Sequence, residues 1–379
     1  MPDTNNNFRH VLCIASIFCF RMLGLFMLLP IFSIYADELK YATHSLMGIG
    51  IGIYGLAQAI FQIPLGHLSD KIGRKKVILL GLSLFAIGSI ICGSANDIYT
   101  LIFGRAIQGA GAIGSALIAL IADLTPAQTR TKSMALLGSM IGISFAISIV
   151  LGPLISRVYG FHAIFHFMTC LAVLGMLMTV LVLPEPKSTY HPDVTPSRKL
   201  FKSVLRDSKL NYLNFSIFLQ HFIFTAVFYV VPIMLENLIQ IQWHFYLPIM
   251  IGSFILAVPL IVIGEKKKKF TQIFMTCIAL ILCALVGLFF SHSQLLAIGI
   301  LLFAYFTGFN ALEACLPSSV TKLVDVNAKG TAMGVYSTCQ FLGIFFGGSL
   351  AGHLYHVYGL NGVLILLGTL SVIWLIKTK

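Results

Sequence analysis

Four ionisable side chains stand inside otherwise apolar runs: Arg21, Arg105, His221 and Glu313. Charge surrounded by hydrocarbon is expensive, so such residues point to a water-lined cavity, a partner or a proton path. The ordinary protonation equilibrium of His221 lies near physiological pH. Desolvation drives Glu313 toward its neutral acid, and a basic partner holds it charged. Either residue can therefore take up and release a proton. A histidine satisfied by packing and arginines engaged in purely structural pairs are the competing readings. Asn310, one turn before Glu313, either shares its face or stabilises the helix.

The elements that must position these groups are set by composition. Of 379 residues, 58% are hydrophobic and 10% charged, and the mean hydropathy is +0.93. A soluble chain carries about a quarter charged residues. The apolar matter recurs in blocks near the roughly 20 residues a helix needs to cross a bilayer. Twelve blocks are read, near 11–35, 44–65, 76–95, 98–122, 133–156 and 161–183, then 211–235, 243–263, 270–291, 294–319, 331–353 and 360–376. The first is too long for a signal-peptide core and contains Arg21, so it is read as a span with no cleaved leader. Eight cysteines fall within apolar blocks without the paired spacings of metal or redox sites, and they read as small hydrophobes.

Although the formal charge is +12, its distribution argues for topology and against nucleic acid. With both termini on one side, 21 of 25 basic residues fall on that side, and only Lys40 and Arg157 on the other. The positive-inside rule makes that side cytoplasmic. A polar interval over 184–210, rich in proline and basic residues, reads as a cytoplasmic linker whose second part is an amphipathic helix on anionic lipid. It divides a 1–183 six-helix bundle from a 211–379 six-helix bundle. Shifting by 195 residues sets Pro64 on Pro259 and Asp70 on Glu265; shifting by 199 sets Gly109 on Gly308 and Val158-Tyr159-Gly160 on Val357-Tyr358-Gly359. One six-span unit used twice is expected, inserted in the same direction each time, with a central cavity between the copies.

Local motifs sharpen this reading. The segment Gly66-His67-Leu68-Ser69-Asp70-Lys71-Ile72-Gly73-Arg74-Lys75-Lys76 interleaves acid, glycine and base between the second and third blocks. Asp70 is read at a helix start, where free backbone N–H groups favour it, and Gly73 at a tight reversal. In the fourth block Leu101-Ile102-Phe103-Gly104-Arg105 leads into Gln108-Gly109-Ala110-Gly111. In the fifth, Gly138, Gly142 and Ala146 form a small-residue row suited to close helix approach, and Gly152-Pro153 predicts a bend.

These segments resemble the signatures of the major facilitator superfamily, and with Arg21 to Gly24, Leu29-Pro30, Gly50 to Leu56 and Gly330 to Ser337 nearly the whole chain is similar to its drug:proton antiporter branch. The resemblance implies an all-α membrane protein of twelve helices in two parallel six-helix repeats. It implies that the loop of Gly66, Asp70, Gly73, Arg74 and Lys75 takes part in conformational switching and that Asp123 joins its charge network. It further ties an arginine at position 105 to proton coupling and Gly142, Gly152 and Pro153 to the antiporter motif, from which Ser156 departs by replacing a small glycine. The first, fourth, seventh and tenth spans are the implied cavity walls, bringing Phe26, Phe222, Tyr229, Phe306 and Phe309 alongside the ionisable set. Some members carry an added soluble C-terminal domain, whereas this chain stops just after its twelfth block.

The expected activity is proton-coupled export of a small lipophilic or aromatic compound by alternating access. Proton-coupled uptake of a sugar, nucleoside or organic acid, and a non-transporting receptor on the same scaffold, are the alternatives. No nucleophile–base cluster, metal-ligand set or phosphate-binding loop is legible, so neither enzyme activity nor a cofactor is expected. The partners expected are a small-molecule substrate, protons and the lipid bilayer, with the chain acting as a monomer in a bacterial inner membrane.

Overall fold

The computed structural model describes residues 4–125, 127–184, 198–236, 238–267, 270–291, 293–324 and 328–378. They form fourteen α-helices: α1 (Thr4–Phe26), α2 (Phe32–Tyr35), α3 (His44–Ile72), α4 (Arg74–Gly93), α5 (Ile98–Ala110), α6 (Gly114–Leu124), α7 (Ala127–Tyr159), α8 (Phe161–Leu181), α9 (Arg198–Arg206), α10 (Ser208–Glu236), α11 (Gln242–Lys267), α12 (Phe270–Phe290), α13 (Leu295–Leu323) and α14 (Lys329–Lys377). Among the described residues, eleven spans are long and apolar enough to cross a membrane, with α5 and α6 counted as one. Helices suit this solvent because they satisfy their own backbone polar groups.

Two compact units divide the chain. Met1–Ala42 and Ile53–Asp193 form the first; Thr43–Gly52 and Val194–Lys379 form the second. In the first, α4 packs on α5 and α8, and α1 on α7. In the second, α10 lies along α14, while α13 packs on both α11 and α12. The early turns of α3 group with the second unit, where Gly48 meets the backbone of Gly348 and Gly352 too closely for any side chain.

Several spans depart from the expected boundaries for identifiable reasons. The first block does not run as one helix to Tyr35, because the chain leaves α1 after Phe26 and resumes at Phe32. Pro30 in that interval has no N–H and disfavours helix in the residue before it. The fourth is interrupted between Ala110 and Gly114, where Gly111 donates to Gln108 O and Ile113 to Gly111 O. Gly111 approaches Gly81 of α4 backbone to backbone there.

At the other end of the chain, α14 has 49 residues but leaves helical geometry at Gly359, with φ 65° and ψ −161°. Gly160, its counterpart in the 199-residue shift, has φ 87°. Both Val-Tyr-Gly copies therefore use glycine for a backbone setting that other residues rarely adopt. Within the 184–210 interval, residues 185–197 lie outside the described set, and α9 forms the helix expected for its second part.

Candidate functional site

In the first unit, one face of α3 receives both buried arginines. Tyr54, Gln58 and Gln62 recur every four residues and so share that face. Arg21 of α1, 2% exposed, donates from Nη2 to Gln58 Oε1. Its Nε and Nη1 have no protein hydrogen-bond partner. Arg105 of α5, also 2% exposed, stacks its guanidinium 4.6 Å from the Tyr54 ring centroid. It donates to Gln108 Oε1 at 2.9 Å, and Gln108 Nε2 donates to Ser89 Oγ of α4 at 2.7 Å. Gly109 permits this approach of α5 to α3, since a Cβ there would strike Tyr54 O.

The second unit assembles a titratable cluster from three helices. Gln220 and His221 are consecutive on α10. Gln220 Nε2 donates to Glu313 Oε2 of α13 at 2.9 Å, and His221 Nε2 lies 2.8 Å from Gln340 Nε2 of α14. His221 Nε2 and Glu313 Oε2 are 3.8 Å apart, an ion pair whenever the imidazole is protonated. A third of the Glu313 side chain remains uncovered, whereas His221 is buried. Asn310 turns elsewhere: its Nδ2 donates to Ser253 Oγ of α11 at 3.2 Å. This separates it from the Glu313 contacts and favours the helix-packing reading.

Aromatic rings continue from this cluster along α10 and α13. Phe224 stacks on Phe309 at 4.6 Å, and Phe309 stacks on Tyr305 at 6.3 Å. Phe228 meets Phe306 at 5.8 Å. Phe222 instead fills the α10–α14 seam, where Gly347 sits against its carbonyl. Tyr229 donates to His44 O at 3.0 Å. In the first unit Phe26 packs edge-on against Phe145 at 5.0 Å.

The acid–base loop is organised around Arg74. Its guanidinium pairs with Asp70, donates from Nε to Asp123 Oδ2 at 3.0 Å and from Nη1 to Ser69 Oγ at 2.7 Å. Gly73, with φ 103°, joins α3 to α4 without a longer turn. Asp70 lies in the last turn of α3, not at a helix start. The helix dipole disfavours an acid there, and Arg74 offsets the cost. Lys75 donates to Val180 O in the last turn of α8 and to Leu183 O just beyond it, both at 3.0 Å. Ser115 Oγ occupies the space where a Gly66 side chain would sit.

Along α7 the small-residue row that meets another helix differs from the one expected. Ser144 donates to Cys19 O and Ser148 to Leu23 O, both at 3.2 Å, and Gly152 abuts Met27 O. These positions, four residues apart, form the seam with α1. Gly138 and Gly142 face open space instead, so they do not mediate a close approach. Pro153 lies within α7 beside that seam.

Four glutamines with no role assigned from sequence, Gln58, Gln108, Gln220 and Gln340, each contact one of the four ionisable residues. Their available signal was an amide inside an apolar block, since burying an amide without a partner is costly. Among the described residues, no group of three or more His, Cys, Asp and Glu is placed to hold a metal ion.

Residues 14–348 match the profile described as the Major Facilitator Superfamily. The chain is 42% identical to the inner membrane transport protein YajR of Escherichia coli strain K12, covering 96% of this chain and 81% of that protein. It is 24% identical to the quinolone resistance protein NorA of Staphylococcus aureus strain MRSA252, over 89% of this chain and 87% of that one. The fold is similar to the crystal structure of a bacterial homologue of the human lysosomal transporter Spinster, in an inward-facing and occupied conformation. There the TM-score is 0.80 at 13% identity, with 97% of this chain and 95% of that one covered. This chain belongs to the Major Facilitator Superfamily, as a multi-pass inner-membrane transporter of small molecules and not an enzyme.

Proposed function

We propose that the protein exports a small lipophilic or aromatic compound in exchange for protons, by alternating access of two parallel six-helix repeats. The observation that carries this reading is the Glu313 carboxylate, held by Gln220 and 3.8 Å from His221 within an apolar helical setting. Protonation of Glu313 weakens its attraction for a cationic imidazole and changes the hydrogen bonding that joins α10 to α13. Arg21 and Arg105 supply a fixed positive field in the first unit, while the Phe224–Phe309–Tyr305 stack suits an aromatic solute. The similarity to NorA, whose name records quinolone resistance, supports the outward direction.

In this proposal the repeats are residues 1–183 and 211–379, joined by 184–210, with both termini cytoplasmic and the monomer as working unit. Two spans meeting at Gly359 complete the count of twelve. A helix of 49 residues would rise about 74 Å, far beyond a hydrocarbon core of about 30 Å. Asp70, Arg74 and Asp123 form a switch network, broken and remade during the cycle.

Proteoliposomes carrying the purified chain and an internal pH dye test the assignment. A panel of aromatic cations, including a fluoroquinolone, should elicit proton movement opposite to solute movement, and Glu313→Gln should abolish it. Unchanged solute transport by Glu313→Gln with no imposed proton gradient would overturn the role of Glu313. Solute and protons moving together would overturn the exchange.

A further inference from the structure

At the end of the second unit where α10 begins and α13 and α14 finish, a cavity of about 530 Å³ opens between the helices. Lys209, Lys322 and Lys377 line it, and among the described residues no acidic side chain joins its wall. Lys322 Nζ stands 5.0 Å from the Phe270 ring centroid and Lys377 Nζ 4.5 Å from that of Phe215. The hydroxyls of Ser208, Thr271 and Ser319 join the wall. Lysines in the last turns of α13 and α14 also complement the helix dipoles. Dipole compensation, however, requires neither a shared cavity nor Lys209, which enters from the opposite helix end.

We propose that this cavity binds the phosphate headgroup of an anionic phospholipid. Basic pockets between membrane helices have the chemistry for such headgroups. The adjoining α9 favours a lipid over free phosphate, because Phe201 and Leu205 are 38% and 44% exposed beside Lys202 and Arg206. Apolar groups next to cations lie in the boundary between acyl chains and headgroups. Phe270 and Phe274 at the cavity wall offer the apolar surface that glycerol and upper acyl carbons require. An occupied site would tie α9, the starts of α10 and α12 and the ends of α13 and α14 to one lipid molecule.

Trp374 provides the readout, one turn before Lys377 and hydrogen-bonded to Ser216 at 3.0 Å. The chain has two tryptophans, so Trp243→Phe leaves Trp374 alone. The full chain is reconstituted in nanodiscs over matched series of mole fractions of brominated phosphatidylglycerol or brominated phosphatidylcholine. Phosphatidylglycerol should quench Trp374 at the lower mole fraction, and each Lys→Gln change at 209, 322 or 377 should weaken that preference about five-fold. The triple Lys→Arg variant should retain it. Single substitutions keep the comparison readable if the triple Lys→Gln chain does not reconstitute.

Equal quenching by the two lipids would overturn the site. Arg9→Gln, in the other unit, should leave the preference intact; an equal loss there would mean diffuse surface charge and reject the cavity. Relief of quenching by millimolar inorganic phosphate would identify a free-phosphate site and reject the lipid assignment.

Discussion

Of the four ionisable groups set within apolar helices, the two of the first unit are guanidiniums, while those of the second are an imidazole and a carboxylate. Arginine remains protonated at every accessible pH, so Arg21 and Arg105 can reorient but cannot report proton concentration. His221 and Glu313 can. Each is held in place by a glutamine, whose amide offers donors and an acceptor without contributing charge. Under the proposed exchange, the difference teaches that positioning and titration would be separate tasks: similar amide partners would secure a fixed electrostatic wall in one unit and an exchangeable one in the other.

The largest expected effect breaks this contrast at its titratable side. Glu313→Gln keeps an oxygen for Gln220 but removes the exchangeable proton, and should reduce solute-evoked proton flux to background while retaining the fold by circular dichroism. Arg21→Gln should lower the rate yet preserve its pH dependence. If the arginine variant instead lost that dependence, the division of tasks would fail.

Packing gives the next test. Gly152→Val drives a branched side chain into Met27 O, with an expected loss of about 3 kcal/mol, whereas Gly142→Ala enters open space and should stay within about 0.5 kcal/mol. Thermal unfolding in detergent, followed by a thiol-reactive dye, ranks the two; equal shifts would contradict the α1–α7 seam. Smaller effects should follow loss of the amides. Gln58→Leu and Gln340→Leu each remove a hydrogen-bond partner inside a unit, at about 1–3 kcal/mol. Only Gln340→Leu should also move the pH midpoint of transport, because only it touches a titrating group.

Helix caps provide the finest contrast. Asp97 caps α5 by accepting from the backbone N–H of Thr100 at 2.9 Å and from its hydroxyl at 2.7 Å. These bonds, the backbone one foremost, hold its carboxyl below the usual carboxylate range. Its contribution is therefore complete above the unfolded value of about 4 and disappears as pH falls through the lower folded value. Gln294 at the start of α13 makes no side-chain cap bond. Gln294→Asp should add about 0.5–1 kcal/mol near neutral pH, a gain that acid titration removes. A gain that persisted undiminished in acid would rule out the carboxylate charge as its source.

Hydropathy made the membrane spans legible because each apolar block is long enough to average over its exceptions. The same averaging concealed the interruption at Gly111–Ile113 and the departure after Phe26, which depend on local hydrogen bonds. The four ionisable residues stood out by charge. Their glutamine partners did not, since an amide barely alters a hydropathy window and its partner lies on another helix. Periodicity on α7 identified small residues four apart but not which of two such rows met α1: Ser144, Ser148 and Gly152 prevailed over Gly138 and Gly142. For Asp70, charge pattern alone could not distinguish the end of α3 from the beginning of α4.

The glycine corners at 160 and 359 leave almost no spare chain between consecutive helical runs. A tag or protease site inserted at either position would have to bring its own linker, and replacing the glycine with a β-branched residue would strain the corner before any neighbouring side chain was touched. Labelling schemes for this protein are better aimed at chain that is free to lengthen than at its tightest bends.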